Sequence, residues 1–420
     1  MRVEIVFPGS PLKGVGAALA AAMVLAVLVS AAGGNAQRQT EPAGESAATA
    51  TADLYPSRDM ELSAPPPVEV SAGAQCDTNG NIYLQYASLS VEAFLEKVRN
   101  QVRNRQPLNF PLRKVSVDSQ RVVPFLVGPF QDYSWFASHA FYVTPNGVVY
   151  NLAEACTGAP GPGVHVPCAW LVTKYNDDGT VDSVAKLRPP REESLMPSKF
   201  AAFPDGNVVV VGQMRDEAGD ALHSTLFAGL FNRSGDFLRE LTLAQDVGPA
   251  PGVTATPNKN PATGTAGPSP SDSGRQAAEK QAWQRLVMSL SEGLMFGAPD
   301  GTVYLLRGGS PQKLDVVSSD GTVLPKPDIT PPREGLTTLN ASVSAQGQLV
   351  VYYAGNPTAQ DSNQYEGIAT IDPETGKLTS TYEVPSTAGA PACVTRRGEF
   401  LFTRQSKSGH LEVVGYTPLH

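Results

Sequence analysis

The sequence predicts an all-β protein, a six-bladed β-propeller whose blades are four-stranded antiparallel sheets. Three observations support this prediction. A glycine turn followed by a strand-like run recurs six times along the chain, and self-similarity of this kind is the signature of a repeat architecture. A second hairpin follows each turn, and after the last turn the chain ends before a complete sheet can form.

The repeated turn is clearest at residues 203–211, where Phe-Pro-Asp-Gly-Asn precedes four valines. Glycine takes a positive φ at no steric cost, and the aspartate satisfies nearby backbone groups. The β-branched run is typical of a strand buried on both faces. We therefore predict a structural role in the blade turns for six glycines: Gly80, Gly147, Gly206, Gly301, Gly347 and Gly398.

Two hairpins per repeat give four antiparallel strands, which is one propeller blade. The second hairpins are predicted at 171–181, 226–238, 314–323 and 367–378, with a weaker one at 115–123. Stacking such sheets radially buries faces that one sheet cannot bury alone.

The last blade is short of strands. After Gly398, only the stretch at 410–416 remains to pair with it. We expect the strand-like stretch at 67–70 to complete this blade and to close the ring. Six blades is the preferred count, with five and seven as alternatives.

Residues 1–36 have the features of a signal peptide or an N-terminal anchor. Arg2 and Lys13 flank an uncharged run at 14–32, and small residues that suit a signal peptidase follow it. The same run is long enough to span a bilayer, so an uncleaved membrane anchor remains an alternative. Either interpretation predicts an exported chain, periplasmic or secreted.

The remainder is predicted to consist of a linker and one domain. Residues 37–67 are a low-complexity stretch, expected to be a flexible linker, and residues 68–420 are the β-propeller domain. Apolar residues at helical spacing predict a short helix at 90–105. The Pro-, Thr- and Ser-rich stretch at 248–274 is expected to be a disordered insertion, with a brief helix behind it at 275–285.

The acidic net charge of the chain argues against nucleic acid and anionic membranes as partners. The chain has 32 basic and 40 acidic residues, a formal net charge of −8. This balance gives no reason to expect nucleic acid or an anionic membrane surface as a partner. We expect a monomer.

The turn-plus-strand stretches, as in FPDGNV at 203–208 and APDGTVY at 298–304, resemble the six-bladed β-propeller superfamily of NHL-repeat, TolB-like and gluconolactonase-like proteins. The resemblance spans most of residues 68–416 and rests on turn and core residues, so it implies a fold. A gluconolactonase-like protein would hold a divalent metal in its central channel through Glu, Asn and Asp of inner strands. The Glu-Gly-Pro and Ser-Asn-Gly stretches usual for that group are absent from this sequence.

The acids that match the repeat have another role. Asp77, Asp205 and Asp300 occupy the turn position, where an aspartate caps a hairpin and need not bind a metal. We therefore predict no metal and no cofactor, with a divalent metal considered only for a lactonase-like activity.

Four cysteines in an exported chain favour disulfides. Cys156 and Cys168 bracket a loop that can bring them together. Cys76 and Cys393 lie just before equivalent turns of the first and last repeats, where a bridge would act as a clasp. The alternative for this second pair is two small buried side chains in inner strands.

The segment 125–141 is the most aromatic stretch of the chain. Tyr133, Trp135, Phe136 and His139 could form a binding rim, or they could pack in a blade core. The sequence contains no Gly-x-Ser-x-Gly elbow, no His-Glu-x-x-His and no histidine pair at zinc spacing. No catalytic residue is predicted.

Two functions from different classes remain. The first is a non-catalytic binding or scaffold module for a protein, peptide or glycan. The second is an extracytoplasmic lactonase-like hydrolase or lyase with its site at the propeller channel. Acidic side chains clustered in the channel would favour the enzyme, whereas an apolar and mixed polar channel would favour the binding module.

Overall fold

The computed structural model describes residues 51–52, 54–61, 69–88, 96, 100, 109, 111–116, 121–160, 166–190, 194–215, 225–243, 293–309, 311–333, 335–355, 365–406 and 411–418. The segments at 1–36, 248–274 and 275–285 lie outside them. So does the expected helix at 90–105, apart from Glu96 and Asn100. In the described part of the chain, no helix combines the length and the apolar composition that crossing a membrane requires.

Six sheets contain all the strands of the described residues. Two strands precede the first blade: β1 (Thr51–Ala52) and β2 (Leu54–Glu61). Blade 1 consists of β3 (Glu69–Cys76), β4 (Ile82–Ser88), β5 (Leu112–Val115) and β6 (Val122–Phe125). Blade 2 consists of β7 (Trp135–Val143), β8 (Val149–Cys156), β9 (Cys168–Tyr175) and β10 (Val181–Lys186). Blade 3 consists of β11 (Ser194–Ala202), β12 (Val208–Arg215), β13 (Thr225–Phe231) and β14 (Phe237–Glu240).

The second half repeats this arrangement. Blade 4 consists of β15 (Leu294–Gly297), β16 (Val303–Arg307), β17 (Lys313–Val317) and β18 (Val323–Pro325). Blade 5 consists of β19 (Thr337–Val343), β20 (Leu349–Gly355), β21 (Tyr365–Ile371) and β22 (Leu378–Glu383). Blade 6 contains β23 (Ala390–Val394), β24 (Phe400–Gln405) and β25 (Leu411–Pro418).

The blades form a closed ring. The first strands of successive blades contact one another in a cycle that runs β3, β7, β11, β15, β19, β23 and back to β3. These six strands are therefore the innermost ones around the propeller axis. Buried apolar clusters fill the space between each pair of neighbouring blades. The predicted six-bladed β-propeller is confirmed.

The strand that closes the ring is not the predicted one. Blade 6 is completed by β2, which pairs antiparallel with β25, for example Met60 with Val413. Residues 69 and 70, from the stretch expected to close the ring, begin β3 of blade 1. The expected linker at 37–67 therefore contains two strands, β1 and β2. The closing strand β2 was not predicted because an outermost strand, with Tyr55 exposed on it, needs no apolar run.

The N-terminal strands also extend blade 5. The two-residue strand β1 pairs in parallel with β22, which makes this sheet five-stranded. The chain leading into the domain thus adds to two neighbouring blades before blade 1 begins.

The six turn glycines lie where they were predicted. Each connects the first and second strands of a blade, and all six have φ between 77° and 89°. At Gly206, the backbone N–H donates to the carbonyl of Phe203, and Asp205 accepts the N–H of Asn207 at 2.9 Å. The tight turns follow from glycine and aspartate chemistry.

Strand direction gives the propeller two different faces. Connections from first to second and from third to fourth strands lie on one side, which we call the turn face. It carries the tight glycine turns. The remaining connections lie on the opposite side, the loop face, where chain segments as long as 89–111 and 241–293 leave and re-enter the sheets. Binding residues of rigid scaffolds are concentrated on such loop-bearing faces.

Candidate functional site on the loop face

Both predicted disulfides are present. Cys76 on β3 is joined to Cys393 on β23, with the two Cα atoms 5.7 Å apart. This bridge connects the innermost strands of the first and last blades and is the clasp that the sequence suggested. Cys156 at the end of β8 is joined to Cys168 at the start of β9, with a Cα separation of 4.1 Å, and it ties the base of a loop-face connection.

The register of β7 divides the four residues of the predicted rim. Phe136 and Tyr133 pack against the buried cluster that contains Phe130 and Leu171, where the rings of Phe130 and Phe136 meet edge to face at 5.5 Å. Trp135 pairs with Cys156, and its side chain lies on the face of the sheet opposite to that of Phe136. The four residues therefore do not form one patch: two belong to a core, and Trp135 and His139 lie on the other side of blade 2.

A β-bulge places His139. The pairing of β7 with β8 shifts between Ser138 and Ala140, so His139 is the extra residue. Bulges re-aim a side chain and are common next to functional sites. The imidazole meets the indole of Trp170 edge to face, with ring centroids 4.6 Å apart.

A carboxylate completes this group. The Nε2 atom of His139 lies 3.7 Å from an Oε atom of Glu154, and the two side chains are 41% and 32% exposed. A hydrogen bond to the neighbouring blade holds the Trp170 side chain in place, because its indole N–H donates to the carbonyl of Leu195 on β11 at 2.6 Å. We call these three contacting residues, His139, Glu154 and Trp170, together with Trp135 on the same face of the sheet, the blade 2 cluster.

Glu154 and Trp170 were not predicted from the sequence. Each is remote in sequence from His139, and only the pairing of β8 with β9 brings them opposite each other. A usable signal existed in the glutamate two residues before Cys156 and in the tryptophan two residues after Cys168.

The blade 2 cluster is suited to recognition. It offers an imidazole that can donate and accept, a carboxylate that accepts, and aromatic surface from two tryptophans. The neighbouring cysteines are joined to each other, so they offer no thiolate as a nucleophile. Positioned polar groups beside rigid aromatic rings are typical of binding surfaces.

The innermost strands do not fit a lactonase-type metal. Their described residues include one carboxylate residue, Glu69, and two basic residues, His139 and Lys199. Burial lowers the pKa of Lys199. Asn340, the asparagine of these strands, donates to the carbonyls of Pro391 and Ala392 at 3.3 and 3.0 Å and thereby joins blades 5 and 6.

Asp77, which directly follows β3, also has a structural role. Asp77 accepts the backbone N–H groups of Asn79 and Asn81 at the turn face, as a capping residue does. Across the described residues, one group of three potential donors lies close enough to share an ion, namely Glu154 with Cys156 and Cys168. The disulfide consumes both thiols of that group. Hard divalent cations need several oxygen ligands, preferably carboxylates, and the described residues of the innermost strands include a single carboxylate.

Comparison with known proteins finds similar solved structures but no family. No protein-family model and no curated protein matches the chain. Among solved structures, it is similar to a protein of unknown function from Dyadobacter fermentans (TM-score 0.47, 12% identity, 87% of this chain and 99% of that one). It is also similar to a luciferin-regenerating enzyme (TM-score 0.41, 10% identity, 87% and 96%) and to a gluconolactonase candidate (TM-score 0.37, 11% identity, 88% and 96%). At these values the likenesses carry no argument about fold or function.

Proposed function

We propose that this chain is an exported, non-catalytic binding or scaffold module that holds a protein, peptide or glycan on its loop face. One observation supports this above the others. The described innermost strands are apolar and mixed polar, with a single carboxylate residue among them. A channel of this composition favours binding over metal-dependent hydrolysis, because a lactonase-type site needs clustered oxygen ligands.

The loop face supplies the binding surface in this proposal. The blade 2 cluster lies there, and the turn face offers only short turns. The Trp170 ring of this cluster is held by its hydrogen bond to Leu195 of blade 3 and by its contact with His139, so little side-chain entropy is lost there on binding. The two disulfides agree with an oxidising compartment outside the cytoplasm.

The proposal is tested by measuring binding to glycan and peptide arrays with purified protein. The double variant Trp135→Ala, His139→Ala is compared with Arg233→Ala, an exposed residue of the turn face. We expect wild type and Arg233→Ala to bind the same array members, and the double variant to bind at least about tenfold more weakly. Equal binding by all three proteins would exclude the blade 2 cluster, and metal-dependent lactone hydrolysis without any binding would contradict the proposed function.

A further inference from the structure

A second concave site lies on the loop face, away from the blade 2 cluster. It is a pocket of about 220 Å³ between blades 4 and 5. It is bordered by the end of β16, the connection from β16 to β17, and the start of β19. All of these belong to the loop face, so a ligand could enter from the side where the long connections lie.

The polar wall of the pocket is buried and fixed. Gln312 is 3% exposed and Thr338 is 8% exposed, and both border the pocket. The Gln312 amide donates to the Thr338 hydroxyl at 2.5 Å, and the Tyr353 phenol donates to the amide oxygen at 3.1 Å. Burial raises the pKa of Tyr353, so the phenol stays protonated and keeps this hydrogen bond at neutral pH.

This arrangement leaves hydrogen-bonding capacity at the pocket. A primary amide has two N–H donors and an oxygen with two lone pairs. Within the described part of the chain, the bonds of the Gln312 side chain use one donor and one lone pair. One donor and one acceptor of this amide therefore remain without a partner among the described residues.

The rest of the wall is apolar or bare backbone. Leu294, Leu306 and Leu336 contribute aliphatic surface. Gly308 and Gly309 also border the pocket, and their backbone groups are not covered by side chains. The pocket is thus aliphatic on one side and polar on the other.

The described residues that border the pocket carry no unopposed charge. Arg307 borders it, but its guanidinium Nε lies 3.2 Å from an Oδ atom of Asp315, and both side chains are 1% exposed. The two charges offset each other within the protein. Among these described residues, neither an anion nor a cation would find an unopposed partner.

We propose that this pocket binds one ring of a neutral polyol, a monosaccharide or the terminal sugar of a glycan. A hydroxyl both donates and accepts, so neighbouring hydroxyls match an amide that offers one of each. The C–H face of a sugar ring suits the leucine wall. The volume is below the range of about 300–1,000 Å³ that is usual for drug-sized ligands, which limits the occupant to a single ring.

Titration calorimetry with the full chain tests this site. The probes are glucose, galactose, mannose, N-acetylglucosamine and myo-inositol, together with the methyl glycosides of the sugars. We expect at least one to bind in a 1:1 complex with a Kd of about 1 mM or tighter. The charged analogues glucuronate and glucosamine should bind at least about tenfold more weakly. A methyl glycoside that binds as well as the free sugar identifies a terminal sugar as the natural source.

Matched variants locate the binding. Thr337 borders the pocket and is exposed, so Thr337→Trp should fill the space without disturbing the core. Leu339, two residues further along β19 and 52% exposed, gives the control Leu339→Trp. We expect Thr337→Trp to weaken binding at least about tenfold and Leu339→Trp to change it less than about twofold.

Three results would overturn this assignment: no binding by any probe, tighter binding of the charged analogues, or unchanged binding by Thr337→Trp. None of them bears on the blade 2 cluster, because Trp135→Ala, His139→Ala leaves this pocket intact. The two proposals can therefore fail independently.

Discussion

Glycine is required at the turns for two separable reasons, the backbone conformation and the space available to a side chain. Gly347 and Gly235 have φ values of +78° and +84°. A Cβ atom at Gly347 would meet no heavy atom within 4 Å, whereas at Gly235 it would lie 2.1 Å from the carbonyl oxygen of Lys186 in the neighbouring blade. The first position therefore tests backbone strain alone, and the second adds a collision between blades.

We expect Gly347→Ala to lower the free energy of unfolding by about 1–2 kcal/mol, the usual cost of a left-handed conformation for a residue with a side chain. Gly235→Ala should cost more, since the backbone of blade 2 must move. Urea denaturation measures both, and Gly347→Asn is the control because asparagine tolerates this conformation. Equal losses for the two alanine variants would contradict the contact described at Gly235.

The hydrogen bonds of Asp320 predict how the stability of its turn changes at acid pH. Hydrogen bonds from the Ser318 hydroxyl, and from the backbone and hydroxyl of Thr322, lower the pKa of Asp320 from 3.8 to about 2. Because the unfolded chain binds this proton more tightly, the contribution is complete above pH 3.8 and is lost as the pH falls towards 2. Asp320→Asn should therefore flatten the decline of the melting temperature in this window. A carboxyl titration by NMR that returned an ordinary aspartate pKa would refute the assignment.

Strands differed in how well the sequence predicted them. The strands after each glycine turn are buried on both sides, as β16 is along its whole length, and their β-branched and aliphatic runs made them recognisable. The closing strand β2 has no such run, because its partner β25 lies on one side and solvent on the other. Its pairing depends on a contact between the two ends of the chain, which local patterns do not encode.

The two disulfides should differ in their contribution to stability. Cys76 and Cys393 are separated by 317 residues and Cys156 and Cys168 by 12. The loop-entropy relation gives about 6 kcal/mol for the long connection and about 3 kcal/mol for the short one. Replacing Cys76 and Cys393 by serine should lower the melting temperature more than replacing Cys156 and Cys168. The reverse order would show that blades 1 and 6 are held together without the clasp.

The candidate site could be predicted only in part from the sequence. The aromatic segment was recognised, but a bulge and the alternation of β7 decide which of its residues face a core and which reach the blade 2 cluster. Glu154 and Trp170 enter through strand pairing across blade 2. The blade 4–5 pocket depends on two separate connections meeting at a blade boundary, and neither has a motif of its own.

The closed ring relates these features to one function. Six blades bring six innermost strands to the axis, and their composition decides what a central site could do. The described strands provide neutral side chains that join neighbouring blades, such as Asn340, in place of a carboxylate cluster. We therefore interpret the ring as a rigid support for recognition on the loop face.

The central claim is that this propeller binds a partner and does not use a channel metal. Elemental analysis of the purified exported protein by inductively coupled plasma mass spectrometry, before and after treatment with a chelator, tests it most directly. We predict well below about 0.1 equivalent of any divalent metal per chain, and an unchanged melting temperature after chelation. About one equivalent of a tightly held divalent metal, lost on chelation together with lactone hydrolysis, would contradict the claim and establish the enzyme.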